Sequence, residues 1–313
     1  MEAVALGESH VLAVAGGRVF AWGHIGNCIA GNGRLGNGRL GLGTGVRGAE
    51  WFDATYECLK FPTEIKGALF QDKRIIQVAA GVSHSLFLGE DGSVFTSGED
   101  GLNTCWAPTL IEGALVGLQV TEIGCGEAFS AVLTQEGRVF TWGSNANGLL
   151  GQGCEADAVA KEPAEVKGAL SGKKVTAVAC GRSHTLALAN GEVVGWGRGM
   201  HLCLDQSKIL EPTAVGAASA LAGRQVVGIS CSPSSRWRAR TTARSFVLGR
   251  CGTPLRKTTS SAKSPRKFRG CWLLTLPAAT ATFCWCECVP ARVRAHARTR
   301  GRQKSPNTLA IAV

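Results

Sequence analysis

Residues 178–197 read Val-Ala-Cys-Gly-Arg-Ser-His-Thr-Leu-Ala-Leu-Ala-Asn-Gly-Glu-Val-Val-Gly-Trp-Gly. An apolar run meets a Gly-x-x-His turn, a second apolar run follows, and an Asn-Gly turn leads into a strand that ends in Trp-Gly. Runs of this length, split by glycine turns and free of a helix-period charge pattern, predict short strands joined as hairpins. The whole chain agrees, since 42 Gly against 2 Met and 1 Tyr suits many tight turns and few long helices.

The stretch is one copy of a repeat. The first copy joins Gly7-Glu8-Ser9-His10 to Gly17-Arg18-Val19-Phe20-Ala21-Trp22-Gly23. The second carries Gly81-Val82-Ser83-His84, with Ser97 replacing the tryptophan before Gly98. The third has Gly126-Glu127-Ala128-Phe129, Phe129 standing in the place of histidine, and then Trp142-Gly143. In the quoted copy the same marks are Gly181, His184, Trp196 and Gly197, and a fifth copy begins at Val226–Cys231 and then departs from the pattern. Spacings of 74, 45 and 55 residues between the turn glycines suit one four-stranded unit plus variable loops. Such a unit cannot cover its own faces, so neighbours must stack on it.

Charge divides the chain. Residues 1–235 hold 17 Lys+Arg against 22 Asp+Glu, a net of −5, whereas 236–313 hold 17 basic residues against Glu287 alone. The domain reading is therefore a body over 1–235, with repeats at 3–74, 75–122, 123–177 and 178–227 and a partial one at 228–235. A basic tail over 236–313 follows, with the composition of a disordered arm or of a shifted reading frame. Any nucleic-acid partner would be held through that tail, by Arg292, Arg294, Arg298, Arg300, Arg302 and Lys304, and the binding would be salt-sensitive. Cys284, Cys286 and Cys288 with His296 do not match paired zinc-ligand spacing, so no metal is assigned.

Cys125, Cys180 and Cys231 lie in apolar runs, where a reduced cysteine acts as a small hydrophobe. With no signal-peptide pattern at the N-terminus and no bilayer-length apolar run, the expectation is an intracellular protein, cytoplasmic or nuclear, with no membrane partner.

The linked elements Gly-x-x-His, Gly-x-Val-Phe-x-Trp-Gly and Asn-x-x-Gly-x-Leu-Gly resemble the regulator of chromosome condensation repeat family over roughly residues 3–232. The last element appears as Asn37-Gly38-Arg39-Leu40-Gly41-Leu42-Gly43, after a duplicated Asn32-Gly33-Arg34-Leu35-Gly36, and again as Asn147-Gly148-Leu149-Leu150-Gly151-Gln152-Gly153. The resemblance implies an all-β, seven-bladed propeller. This chain supplies about four blades and the start of a fifth, so an incomplete propeller with a non-propeller tail is expected, and its body should be unstable alone or should associate.

His10, His84 and His184 occupy equivalent places of separate repeats and read as structural hydrogen-bonding residues, while Trp22, Trp142 and Trp196 read as gap fillers between blades. The glycines of 31–48 meet neither the P-loop nor the dinucleotide fingerprint, so no cofactor is assigned. With neither a nucleophile set nor a carboxylate pair, the chain reads as no enzyme but a protein-binding module. The alternative that the resemblance permits is a guanine nucleotide exchange factor or regulator of a small GTPase, in a chromatin-associated setting, acting through acids near the blade turns. Glu8 and Glu127 are the counterparts of those acids, and Ser83 and Arg182 are less suggestive.

The stretch 48–60 interrupts the repeat with Glu50, Trp51, Asp53, Tyr56 and Glu57, a mix suited to a partner contact. Trp51→Ala is expected to weaken capture of a partner without lowering the melting temperature of the body; unchanged capture in a pull-down rejects this assignment.

Overall fold

The structure, a computed structural model, describes residues 2–25, 38–43, 52–53, 58–67, 70, 72–99, 104–154, 159–202, 204–215, 225–231, 236–241 and 245–249. The chain divides into two compact units, Met1–Arg256 and Lys257–Val313, and the second lies outside the described residues.

Five antiparallel sheets follow one another. The first contains β1 (Ala3–Leu6), β2 (His10–Ala15), β3 (Arg18–His24), β4 (Phe52–Asp53) and β5 (Cys58–Glu64), in the order β1-β2-β3-β5-β4. Three four-stranded sheets come next: β6 (Ile75–Ala80) to β9 (Thr104–Leu110), β10 (Val120–Cys125) to β13 (Val159–Glu165), and β14 (Val175–Cys180) to β17 (Lys208–Ala214). Within them lie β7 (His84–Gly89), β8 (Val94–Glu99), β11 (Phe129–Thr134), β12 (Val139–Ser144), β15 (His184–Ala189) and β16 (Glu192–Arg198). The fifth sheet joins β18 (Val226–Cys231), β19 (Arg236–Thr241) and β20 (Ser245–Gly249). The first strand of each sheet packs against the first strand of the next, the arrangement of propeller blades.

The core lies between the sheets. Leu12, Val14 and Leu59 of the first sheet meet Ile75, Val78, Phe87 and Phe95 of the second, with Phe70 edge-on to Phe87 and Phe95 at 5.3 and 5.6 Å. Further along, Val178, Leu186 and Leu188 share one cluster with Ala131 and Val139 of the third sheet and with Val226 and Ala239 of the fifth.

Four of the limits expected from sequence fall inside sheets. The first strands of the third, fourth and fifth sheets begin at 120, 175 and 226, so the breaks expected at 122/123, 177/178 and 227/228 fall inside strands. The Gly-x-x-His turn marks where the first strand ends, not where it starts. The limit expected at 235 is also crossed: β19 pairs with β18 and β20, and Ala239 and Thr241 are buried while Arg240 between them is exposed. The alternation at Ala239-Arg240-Thr241 is that of a strand with one apolar face. Leu248-Gly249 holds the register place of Trp-Gly, because Trp237 pairs with Leu248 as Thr185 pairs with Trp196.

The Trp-Gly pair has a backbone cause. Gly23, Gly98, Gly143 and Gly197 all have φ between 95° and 107°, and at each the pairing with the sheet's fourth strand (β5, β9, β13 or β17) breaks register, opposite Trp22, Ser97, Trp142 and Trp196. Glycine permits this bulge, and a Cβ on Gly23 would stand 2.7 Å from the Ser9 carbonyl oxygen. The broken stretch of that fourth strand carries a proline in every case: Pro62, Pro108, Pro163 and Pro212.

The turn glycines are fixed by close approach. A Cβ on Gly7 would lie 2.6 Å from the Gly81 carbonyl oxygen of the next sheet, and one on Gly81 would lie 2.6 Å from that of Gly126. Gly81→Ala should therefore push two sheets apart and destabilise the protein by about 1–3 kcal/mol; a denaturation midpoint equal to wild type would count against this packing.

Candidate interaction surface at the turn ends of the sheets

The turns after β1, β6, β10 and β14 place equivalent residues side by side, and the histidines that follow are spent within the sheets. His10 Nε2 is 2.9 Å from Ser85 Oγ, and His84 Nε2 is 3.1 Å from Ser130 Oγ, so each ring joins its own sheet to the next. Ser85 Oγ also donates to the Arg39 carbonyl, 2.7 Å away, and the buried Arg39 guanidinium donates to Ser9 Oγ. His184 is fully buried, with both ring nitrogens lacking a hydrogen-bond partner, and it stands edge-on to His201 with centroids 5.5 Å apart. An unsatisfied buried group of this kind costs roughly 1–3 kcal/mol. Burial pushes the His10 imidazole down to about 3, with Arg39 and His84 adding to the effect, and burial with His201 does the same at His184. Neutral, enclosed rings cannot act on a substrate in solvent.

The tryptophans are also used internally. Trp142 and Trp196 are buried and Trp22 is half-buried; Trp196 Nε1 donates to the Leu149 carbonyl of the preceding repeat at 2.9 Å. Ser97, in the tryptophan's place, leaves room for the glycine loop at Gly41, where a Cβ would sit 3.1 Å from the serine hydroxyl.

One step before each histidine pair the side chains turn outward. Glu8, Val82, Glu127 and Arg182 are the equivalent residues, so Val82 and not Ser83 stands in the place of Glu8. Arg182 reaches both acids, 2.7 Å to Glu127 and 3.7 Å to Glu8, which ties the fourth sheet to the third and the first. Backbone bonds brace the turns, from Glu8 N to the Gly81 carbonyl and from Glu127 N to the Arg182 carbonyl. All three side chains keep 42–49 % of their surface exposed. Pairs so wetted contribute about 0–1 kcal/mol to stability, which leaves them free to exchange partners. Sequence reading singled out the two acids and passed over Arg182; its signal was the alignment of the four turns.

The loop candidates do not join this cluster. Glu50, Trp51 and Tyr56 lie outside the described residues, and Asp53 is in β4, at the opposite edge of the first sheet from the Glu8 turn. Four strand spacings put it roughly 15–20 Å away. Part of the interrupting stretch is sheet rather than connection, because Phe52 and Asp53 pair with Leu59 and Cys58. Cys125, Cys180 and Cys231 close the first strands of three successive sheets as free thiols, and burial pushes the Cys180 thiol up to about 12. Among the described residues no group of three or more His, Cys, Asp or Glu side chains could hold a metal ion, and no helix is long and apolar enough to cross a membrane. Most of the basic tail lies outside the described residues.

Comparison with known proteins is consistent with this architecture. Two family models described as the regulator of chromosome condensation (RCC1) repeat match, one over residues 16–88 and 136–188 and the other over 75–105 and 120–149, together about half of the chain. The rat (Rattus norvegicus) protein alsin is 32% identical over 171 residues, covering 51% of this chain and 10% of alsin. The probable E3 ubiquitin-protein ligase HERC4 of Homo sapiens is 33% identical over 234 residues, 69% of this chain and 21% of HERC4. The chain thus spans between 10% and 21% of these two curated relatives. Among solved structures, human WBSCR16 superposes with a TM-score of 0.62 at 22% identity, over 79% of this chain and 61% of that one. Prp20p of Saccharomyces cerevisiae, whose structure was described together with its binding properties to Gsp1p and histones, gives 0.58 at 20%, over 77% and 56%. At these identities the structures speak for the fold.

The buried histidines set a pH dependence. His10 and His184 take up protons in the unfolded chain near pH 6.5 and in the folded one only near 3, so stability is whole above about 6.5 and declines as pH falls toward 3. The melting temperature should drop between pH 7 and pH 5, above the range where carboxylates protonate, and the drop should be shallower in His184→Phe. A flat profile over that interval would show that these rings are accessible.

Proposed function

The chain belongs to the regulator of chromosome condensation repeat family, and we propose that it is a non-catalytic protein-interaction module whose contact surface is the turn end carrying Glu8, Glu127 and Arg182. The observation that supports this reading is the contrast within the turns. His10, Phe129 and His184 are buried in the stack, while the residues two places earlier, Glu8, Glu127 and Arg182, are half-exposed charges of little value to stability; the second turn has Val82 there. Charges on a rim steer encounter and select partners more than they add affinity. Glu8 and Glu127, brought together by one guanidinium, offer a partner cation two carboxylates at once if it displaces Arg182.

A small GTPase is the narrower partner that family resemblance suggests, with nucleotide exchange or its regulation as the second reading. Support comes from the same acids near the blade turns and from the fold shared with Prp20p, itself described with its binding to Gsp1p and histones. The ligase activity in the name of HERC4 is not carried over, since the chain spans 21% of that protein.

Binding to a panel of GDP-loaded small GTPases, together with release of labelled GDP, separates these readings. Binding without faster release supports a scaffold, release accelerated tenfold or more supports exchange, and no binding removes this partner class. Wherever binding occurs, Glu8→Gln with Glu127→Gln should weaken it about tenfold while shifting stability by no more than about 1 kcal/mol. Unaltered affinity in the double variant would move the contact surface elsewhere.

A further inference from the structure

We propose that the sheet array opens at one seam, between the fourth and fifth sheets, because three repeat-to-repeat side-chain links used further up the stack all fail there through the residues that the fifth repeat and its neighbour supply.

The first link is the histidine's bond to a hydroxyl one sheet on. Strand register places Ser85 opposite Ala80, Ser130 opposite Cys125 and Thr185 opposite Cys180, so the next sheet presents a hydroxyl at one fixed place. His10 and His84 use it. In the fifth sheet that place, opposite Cys231, belongs to Trp237, which has no hydroxyl, and His184 is left with two unpartnered nitrogens in a buried site.

A second link runs between first strands. Gln77, four residues before its turn glycine, accepts from Ile123 N at 3.2 Å and donates to the Ile123 carbonyl at 3.5 Å. Glu122, at the same place one sheet on, accepts from Val178 N at 2.8 Å. Ala177 holds that place in the fourth sheet and has no polar group with which to bond the backbone of β18. The third link is the indole of Trp196, donating back to Leu149; in the fifth sheet the tryptophan's register place is Leu248, which has no donor.

Among the described residues the seam is held by the burial of Val226 and Ala239, the bond from Val226 N to the Gly191 carbonyl at 3.0 Å, and the Cys231 thiol donating to the Ala179 carbonyl at 3.4 Å. In a stacked array each unit is stabilised by its own contacts and by its neighbour interfaces, so a unit with a poor interface opens before its better-joined neighbours. Opening also hydrates the unpaired His184, which favours the open form further. The seam is thus a conformational device: one sheet can leave while four remain, uncovering the apolar face formed by Val178, Leu186 and Leu188.

Hydrogen exchange on the full chain tests this. Peptides over 226–249 should exchange at least about a hundredfold faster than those over 175–214. Trp237→Ser, which supplies the missing hydroxyl, should slow exchange over 226–249 about tenfold without altering 75–144. His184→Phe, which copies the buried Phe129 of the third sheet, should slow it as well, and it decides the matter alone if the first variant does not fold. Equal protection of the two regions in the wild-type chain, or variants that leave exchange at 226–249 unchanged or faster, would overturn the proposal.

Discussion

A turn carbonyl of one sheet lies so close to the turn glycine of the sheet before it that no Cβ fits between them, from Gly7 to Gly81 and from Gly81 to Gly126. That approach sets the distance between neighbouring sheets, and the rest of the molecule follows from it. Only at that spacing do His10 and His84 reach a hydroxyl across the gap, and only there can Gln77 and Glu122 reach the neighbouring backbone. Apolar burial drives the stacking, but it is indifferent to small slips; the polar links select one spacing and one register.

The same turn separates stability from recognition within four residues. Glycine and histidine face inward and are paid for in packing and hydrogen bonds, whereas Glu8, Glu127 and Arg182 face water and add little to folding. Substitution on the rim should therefore leave the scaffold intact, whereas substitution in the row behind it should not.

Much of the fold was legible because the repeat's marks are residues with one physical use. Gly-x-x-His closes the first strand of a sheet, and Trp-Gly sits at a bulge that needs positive φ at its glycine. Where a different side chain met the same backbone need, the reading failed. Leu248-Gly249 closes the third strand of the fifth sheet without a tryptophan, and the arginine-rich sequence of β19 gave no sign of the strand that its backbone pairing forms. Repeat limits slipped by a few residues because the first strands begin with no distinctive residue. The rim cluster was half legible: two acids were visible as charges, but the convergence on Arg182 depends on how sheets curve around one another, which no spacing in the chain expresses.

The prolines of β5, β9, β13 and β17 bear on what happens when many copies of this chain are made together. A strand at the edge of a sheet offers unpaired backbone to any passing strand; Pro108, Pro163 and Pro212 interrupt that offer on the edge strands β9, β13 and β17, and Pro62 does so on the part of β5 beyond its pairing with β4. The last described strand, Ser-Phe-Val-Leu-Gly at 245–249, has no proline and no charge, and its composition favours β pairing. Resistance to edge-to-edge growth is therefore distributed unevenly along the chain, dense over its first four sheets and thin at the fifth, and a crowded ribosome or expression host would meet that difference before any partner did.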